Sequence, residues 1–310
     1  MLPALLSFTL VGVLLLVPAA SSYATFSLEQ VACRHALGRS AARLVHSAAL
    51  HTAKCHLRRD RSGGNASIDC NSLAEYGAGT RVGKAESRLR TMLSGGKGRC
   101  AGLEAWAMGY RACPEPCAAA IASLDDVGGC IVCLSRYEVS AMSEAALGSP
   151  DTVPINDQGL RACRVPIGKK QAKHLSVILK ERVKCQGQEE REGGTDTAWC
   201  AVVNPKNRIG RVRTKGARSL QRRCAGVSPA TVDSCSDSDD IADLEACLFD
   251  DSAARGARLF ENFYSLENAL VTTTTLAGAT STTTSTTLPI SAATWAEVRE
   301  VFVERCTTCH

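Results

Sequence analysis

Three side chains near position 310, Cys306, Cys309 and His310, form a pattern with an assignable chemistry. Two thiols three positions apart can each form a thioether with one vinyl group of a haem, and the adjacent imidazole can bind the iron. The C-x-x-C-H spacing therefore predicts covalent attachment of haem c. Cys306 and Cys309 are the predicted thioether residues, and His310 is the predicted proximal iron ligand.

An amphipathic helix is predicted immediately before this motif. Thr294 and Glu297 have the Thr-x-x-Glu form of a capping box, in which each side chain satisfies a free backbone donor of the first turn. Trp295, Val298 and Phe302 then fall on one helical face. This helix would lead directly into Cys306.

A capped amphipathic helix that ends in C-x-x-C-H resembles the opening of a class I-type cytochrome c domain, particularly in bacterial modules appended to secreted multidomain proteins. The resemblance covers about residues 291–310. It implies thioethers at Cys306 and Cys309, His310 as the proximal axial ligand, and electron transfer with a redox partner protein. The family also implies further helices and usually a distal methionine, so we expect the sequence to be truncated within this domain.

Two other classes of protein stay open at this point. In the first, the chain is a non-catalytic cysteine-rich surface or binding protein, and Cys306 and Cys309 form one more disulfide. In the second, it is a metal-binding or thiol-redox protein, which predicts many free thiols. No Ser/His/Asp set, phosphate-binding loop or paired-carboxylate motif indicates an enzyme.

Composition and the N-terminal residues predict export. Residues 1–24 have the apolar run and small-residue end of a secretory leader, and no later segment is apolar enough to span a membrane. Sixteen cysteines in 310 residues are typical of a disulfide-bonded protein of the periplasm or extracellular space. The net charge of +5 is spread among interspersed charges of both signs, so we expect no nucleic acid binding. Because no later segment is apolar enough, we expect no stable membrane insertion after leader cleavage.

Cysteine spacing predicts two tandem helical units, residues 25–150 and 151–269. An interval of 22 residues separates Cys33 from Cys55 and Cys163 from Cys185, and the next cysteine follows each pair after 15 residues. Apolar residues recur at helical steps in both units, so the fold class is mainly α. Helices are expected at residues 28–56, 82–93, 117–124, 130–146, 166–185, 210–223 and 240–266.

These units resemble a family of uncharacterised cysteine-rich secreted proteins from environmental bacteria, which carry similar Thr/Ser linkers. The resemblance implies secretion and modularity only. Residues 270–290 are rich in threonine and serine and predict a disordered linker between the second unit and the start of the cytochrome-like segment at 291–310.

The disulfide connectivity stays open at the level of sequence, because eight cysteines permit 105 pairings and six permit 15. Superposing the units leaves Cys113 and Cys130 as extra residues that could pair with each other. Cys130 and Cys133 could instead form a redox dithiol, although no strand-helix-strand pattern surrounds them. A zinc site could use His51, Cys55, His56 and Cys70.

Overall fold

A computed structural model describes residues 26–61, 69–72, 79–94, 98–148, 157–194, 197–202, 204–228, 235, 238 and 240–264. All of these residues belong to one compact unit. The predicted leader, the Thr/Ser linker, the capped helix and the C-x-x-C-H motif lie outside the described residues.

The described part of the chain is mainly helical, which confirms the predicted fold class. Its α-helices are α1 (Leu28–Arg61), α2 (Arg81–Ser94), α3 (Leu124–Leu147), α4 (Gln158–Glu189), α5 (Thr197–Val202), α6 (Arg208–Arg223) and α7 (Ile241–Tyr264). Short 3₁₀ turns lie at Trp106–Met108, Glu190–Glu192 and Pro205–Asn207. Two short strands, β1 (Ala112–Cys113) and β2 (Ala119–Ala120), pair antiparallel.

Two of the helix predictions were wrong in detail. The helix expected at residues 117–124 is absent: β2 occupies part of this segment, and pairing with β1 and a disulfide at Cys117 override the helix propensity of its alanines. The helix expected to begin at Pro166 begins at Gln158 instead, because the Asp157 carboxylate caps it by accepting from the backbone N–H of Leu160 at 2.7 Å. Pro166 therefore lies inside α4.

The long helices α1 and α4 lie at the centre and run antiparallel. Gly168 of α4 faces Ala53 of α1, and Gly187 faces His35, so the residue numbers rise in opposite directions along the contact. The larger hydrophobic core combines side chains from α1, α2 and α3 with side chains from α4 and α7, including Leu44, Leu89, Ile131, Leu175 and Phe260. The two predicted units therefore share one core, while their relation as a tandem repeat stays a prediction.

Seven disulfides brace these helices. They join Cys33 to Cys100, Cys55 to Cys70, Cys113 to Cys130, Cys117 to Cys133, Cys163 to Cys224, Cys185 to Cys200 and Cys235 to Cys247. The proposed pairing of Cys113 with Cys130 is thus present. Such a set of bridges indicates an oxidising environment, extracellular or periplasmic. None of the described helices combines the length and hydropathy needed to cross a membrane.

Candidate functional site

The predicted haem residues, Cys306, Cys309 and His310, lie outside the described residues, so their geometry is not assigned. The described part of the chain still constrains their chemistry. Its fourteen cysteines all pair with one another in the seven disulfides. The sequence holds sixteen cysteines, so Cys306 and Cys309 are the two that this network does not use.

The cysteines of the alternative thiol-redox and zinc sites are also bonded in these disulfides. Cys130 and Cys133 bind to Cys113 and Cys117 respectively, and therefore do not form a dithiol with each other. A disulfide joins Cys55 to Cys70, so neither sulfur is a thiolate that could bind zinc.

One further group has the residue types of a metal site. Cys185, Glu189 and Cys200 are the only three potential ligands that lie together within the described ranges. Here too the two sulfurs form a disulfide, which leaves a single carboxylate. The group is therefore a structural bridge beside a half-buried acid.

A fully buried ion pair lies between α1 and the turn after α4. The Arg34 guanidinium donates to the Glu190 carboxylate, with 2.9 Å from Nε to Oε1, and both side chains are inaccessible to solvent. It also donates to the carbonyl oxygens of Met108 and Tyr264. These bonds satisfy a charge that burial would otherwise make very costly.

Aromatic rings surround the same guanidinium. Its central carbon lies 4.4 Å from the ring centroid of Phe26, 5.6 Å from that of Tyr110 and 5.4 Å from that of Tyr264. Burial opposes the charge, but Tyr110 and Glu190 outweigh it and raise the pKa of Arg34 above its ordinary value. Arg34 is thus a permanent cation enclosed by protein, with no path to a ligand.

A second ion pair mirrors the first. Arg164 donates to the Asp60 carboxylate at 2.9 Å and to the carbonyl oxygen of Leu147. Arg164 is the residue that the cysteine spacing aligns with Arg34, and the same shift of 130 positions aligns Glu190 with Asp60. Each arginine therefore pairs with an acid from the other half of the chain.

Two buried histidines are neutral at ordinary pH. Burial lowers the pKa of His56 to about 4, although its hydrogen bond to Asn71 opposes this shift. Arg59 donates to Nδ1 of His56 at 3.0 Å, so the ring proton lies on Nε2, which donates to Asn71 Oδ1 at 2.8 Å. Burial likewise lowers the pKa of His174 to about 4, and its Nδ1 lies 2.7 Å from Ser252 Oγ. Both histidines fill core positions.

The large basic cavity is an open cleft of about 800 Å³ between α1, α4 and α6. Its one acid, Asp60, is already paired with Arg164. The apolar part of the cavity wall is formed by Leu57, Val165 and Pro166. The cationic side chains that line it are Arg61, Arg161, Lys169, Lys170, Lys173 and Arg223.

The small basic cavity, of about 460 Å³, lies between α1, α2 and α4. It is lined by His46 and by the cations Arg43, Arg81, Lys84, Arg88 and Lys180, and its described lining includes no acid. Burial lowers the pKa of His46, a hydrogen bond to the Ala172 backbone opposes this, and Lys180 and Lys173 lower it further. Lys173 lines the large cavity and Lys180 the small one, so α4 contributes to both.

Sequence reasoning placed the lysines of α4 on its surface but missed their convergence with arginines of α1, α2 and α6. One signal was available: Lys169, Lys173, Lys180 and Lys184 recur at steps of four and seven, which puts them on one face of a helix. The arginines of α1, α2 and α6 that complete the cavities lie about 50 to 137 residues away in the chain from the α4 lysines of the same cavity.

Comparison with known proteins adds no assignment: no family model, curated protein or solved structure matches this chain significantly.

Proposed function

We propose that this chain is an exported electron-transfer protein that holds haem c covalently through its C-x-x-C-H motif. Cys306 and Cys309 would form the thioethers, and His310 would be the proximal iron ligand. When bound, the haem supplies an iron that gains and loses one electron. The donor set fits this group, because it offers two thiols and one imidazole at the required spacing.

The observation that carries this proposal is the closed disulfide network. Fourteen cysteines pair among themselves, so the oxidised fold does not require Cys306 or Cys309 as bridge partners. Two cysteines that remain outside a complete network are available for thioether formation. Their position beside His310, after a predicted capped amphipathic helix, gives them the context of a haem-attachment site.

The proposed setting is the periplasm or the extracellular space. Residues 1–24 have the pattern of a secretory leader, and the seven disulfides require an oxidising compartment. A redox partner protein is proposed as the source or acceptor of electrons.

A haem-stained denaturing gel tests this proposal. The wild-type chain, expressed with a cytochrome c maturation system, is expected to give a stained band at its own mass. Cys306→Ser/Cys309→Ser is expected to give no stain, because both thioether sulfurs are lost. Cys235→Ser/Cys247→Ser is the matched control, since it also removes two cysteines and leaves the motif intact; its band should stain.

An unstained wild-type band would contradict the haem proposal and favour the alternative, a non-catalytic binding protein with an incidental motif. Thiol titration of denatured, unreduced protein made without the maturation system gives an independent reading. The seven disulfides leave at most Cys306 and Cys309 to react. A larger number of free thiols would contradict the disulfide network itself.

A further inference from the structure

Two separate basic cavities border α4, and their lining residues are together termed the basic groove. Lys173 lines the large cavity and Lys180 lines the small one, and residues seven positions apart lie on the same face of a helix. From Lys169 to Lys180 the helix rises about 16 Å. The groove is therefore longer than a site for a single small anion.

The cations of this groove differ from the other cations of the described surface. Every ion pair within the described residues uses an arginine, and none uses a lysine. Apart from Arg161, the cationic side chains that line the two cavities make no side-chain hydrogen bond or ion pair within that same set of residues. Their charges are thus available to a ligand.

Such a concentration of like charge costs free energy in the unliganded protein. Cations that converge on a cleft repel one another, and the low-dielectric walls of the cleft concentrate their field. Other arginines of this fold, such as Arg136 and Arg255, are compensated by nearby acids. Among the described lining residues the one acid is Asp60, which already pairs with Arg164, so an anion from outside would compensate the remaining cations.

The lining chemistry selects among polyanions. Single-stranded nucleic acids are bound by aromatic side chains that stack on bases, and no aromatic residue other than His46 is among the described lining residues. Anionic membranes are bound by apolar side chains that insert beside the charges. Outside the two linings lie all the large hydrophobic residues exposed in the described part of the chain: Leu28, Trp106, Tyr137, Trp199 and Val202.

We infer that the basic groove binds an acidic polysaccharide, with Lys169, Lys173 and Lys180 contacting successive anionic groups of one extended chain. The apolar wall formed by Leu57, Val165 and Pro166 suits the C–H faces of sugar rings between those groups. An exported protein meets such polymers at cell surfaces and outside cells. The inference uses only residues of α1, α2, α4 and α6 and does not depend on the proposed haem.

Binding to defined polyanions tests the inference. The disulfide-bonded full chain is titrated with a sulfated glycan (heparin) and a carboxylated glycan (polygalacturonate), with neutral dextran, double-stranded DNA and phosphatidylglycerol vesicles as comparisons. We expect saturable binding to one or both acidic glycans that weakens with added salt, and none to dextran. Lys169→Glu/Lys173→Glu is expected to weaken this binding about tenfold or more and to reduce its salt dependence.

Arg99→Glu/Arg111→Glu is the matched control, since it makes the same change of net charge at two exposed residues outside both cavities. It should bind like wild type. Equal weakening in both variants would overturn the inference, because it would show a response to net charge alone. Absence of glycan binding, or tighter binding to DNA or vesicles, would overturn it too. Cys306→Ser/Cys309→Ser should bind the glycan normally, which separates this result from that of the haem test.

Discussion

At the scale of single residues, the described fold depends on charges that water cannot reach. Arg34 and Glu190 are both inaccessible to solvent, and the guanidinium also serves two backbone carbonyls. Removing one member of such a pair leaves an uncompensated buried charge, whereas removing both leaves only a packing change. The pair is separated by 156 positions in the chain, so sequence reasoning had no means of finding it.

Arg34→Leu is therefore expected to lower the free energy of unfolding by about 3–5 kcal/mol. Arg34→Leu/Glu190→Leu should recover part of this loss, because no charge remains buried. Arg90→Leu is the control: Arg90 forms an exposed ion pair with Asp125 at 3.5 Å, and its loss should cost less than about 1 kcal/mol. Urea unfolding of the four proteins measures these differences. If Arg34→Leu lowers the free energy of unfolding as little as Arg90→Leu does, the buried ion pair is not important for stability.

At the scale of elements, sequence periodicity identified most of the helices. The helix predictions failed where caps, strand pairing or disulfides determined the structure. α2, α3, α6 and α7 begin and end within about six residues of their predicted bounds. α5 was not predicted. The errors in predicted helices lie at β2, where strand pairing and a disulfide override alanine propensity, and at Pro166, which lies inside α4 because the helix begins at its Asp157 cap. Neither effect is visible in a pattern of apolar residues, because both depend on partners elsewhere in the chain or on the strength of one cap.

The close approach of α1 and α4 gives a prediction at this scale. A Cβ at Gly168 would lie 2.8 Å from the Cβ of Ala53, so Gly168→Ala forces the two helices apart and should cost about 1–3 kcal/mol of stability. Gly129→Ala on α3 is the matched substitution, because nothing lies within 4 Å of its Cβ position. It should stabilise the fold by up to about 1 kcal/mol through helix propensity. Thermal unfolding measures whether each substitution raises or lowers the stability. An increase in stability for Gly168→Ala would show that α1 and α4 are less closely packed at this position than described.

At the scale of the whole molecule, the two halves depend on one another. Ala172, Leu175 and Leu179 of α4 belong to the same core as Leu37, Leu44 and Val45 of α1. Each half also supplies the acid for the other half's buried arginine. The cysteine spacing predicted the two blocks, but it could not indicate that they share a core, because spacing carries no information about which faces meet.

Residues 25–150 and 151–269 are therefore expected not to fold when they are produced separately. Each would expose the apolar face of its long helix and leave a buried ion pair half-formed. Circular dichroism during heating should show cooperative unfolding for residues 25–269 and only gradual change for either piece. A sharp transition in one piece alone would indicate that it is an independent domain.

The distribution of the seven disulfides has one further consequence. In each disulfide, both cysteines come before Gly148 in the chain or both come after Asp157. Apart from the backbone of the segment between those two residues, the described bridges provide no covalent link between the two halves, which apolar packing and four salt bridges hold together within the described residues. A protease cut in that segment would divide the described region into two pieces, each with its own intact disulfides. A denaturant could then separate the two pieces without any reductant.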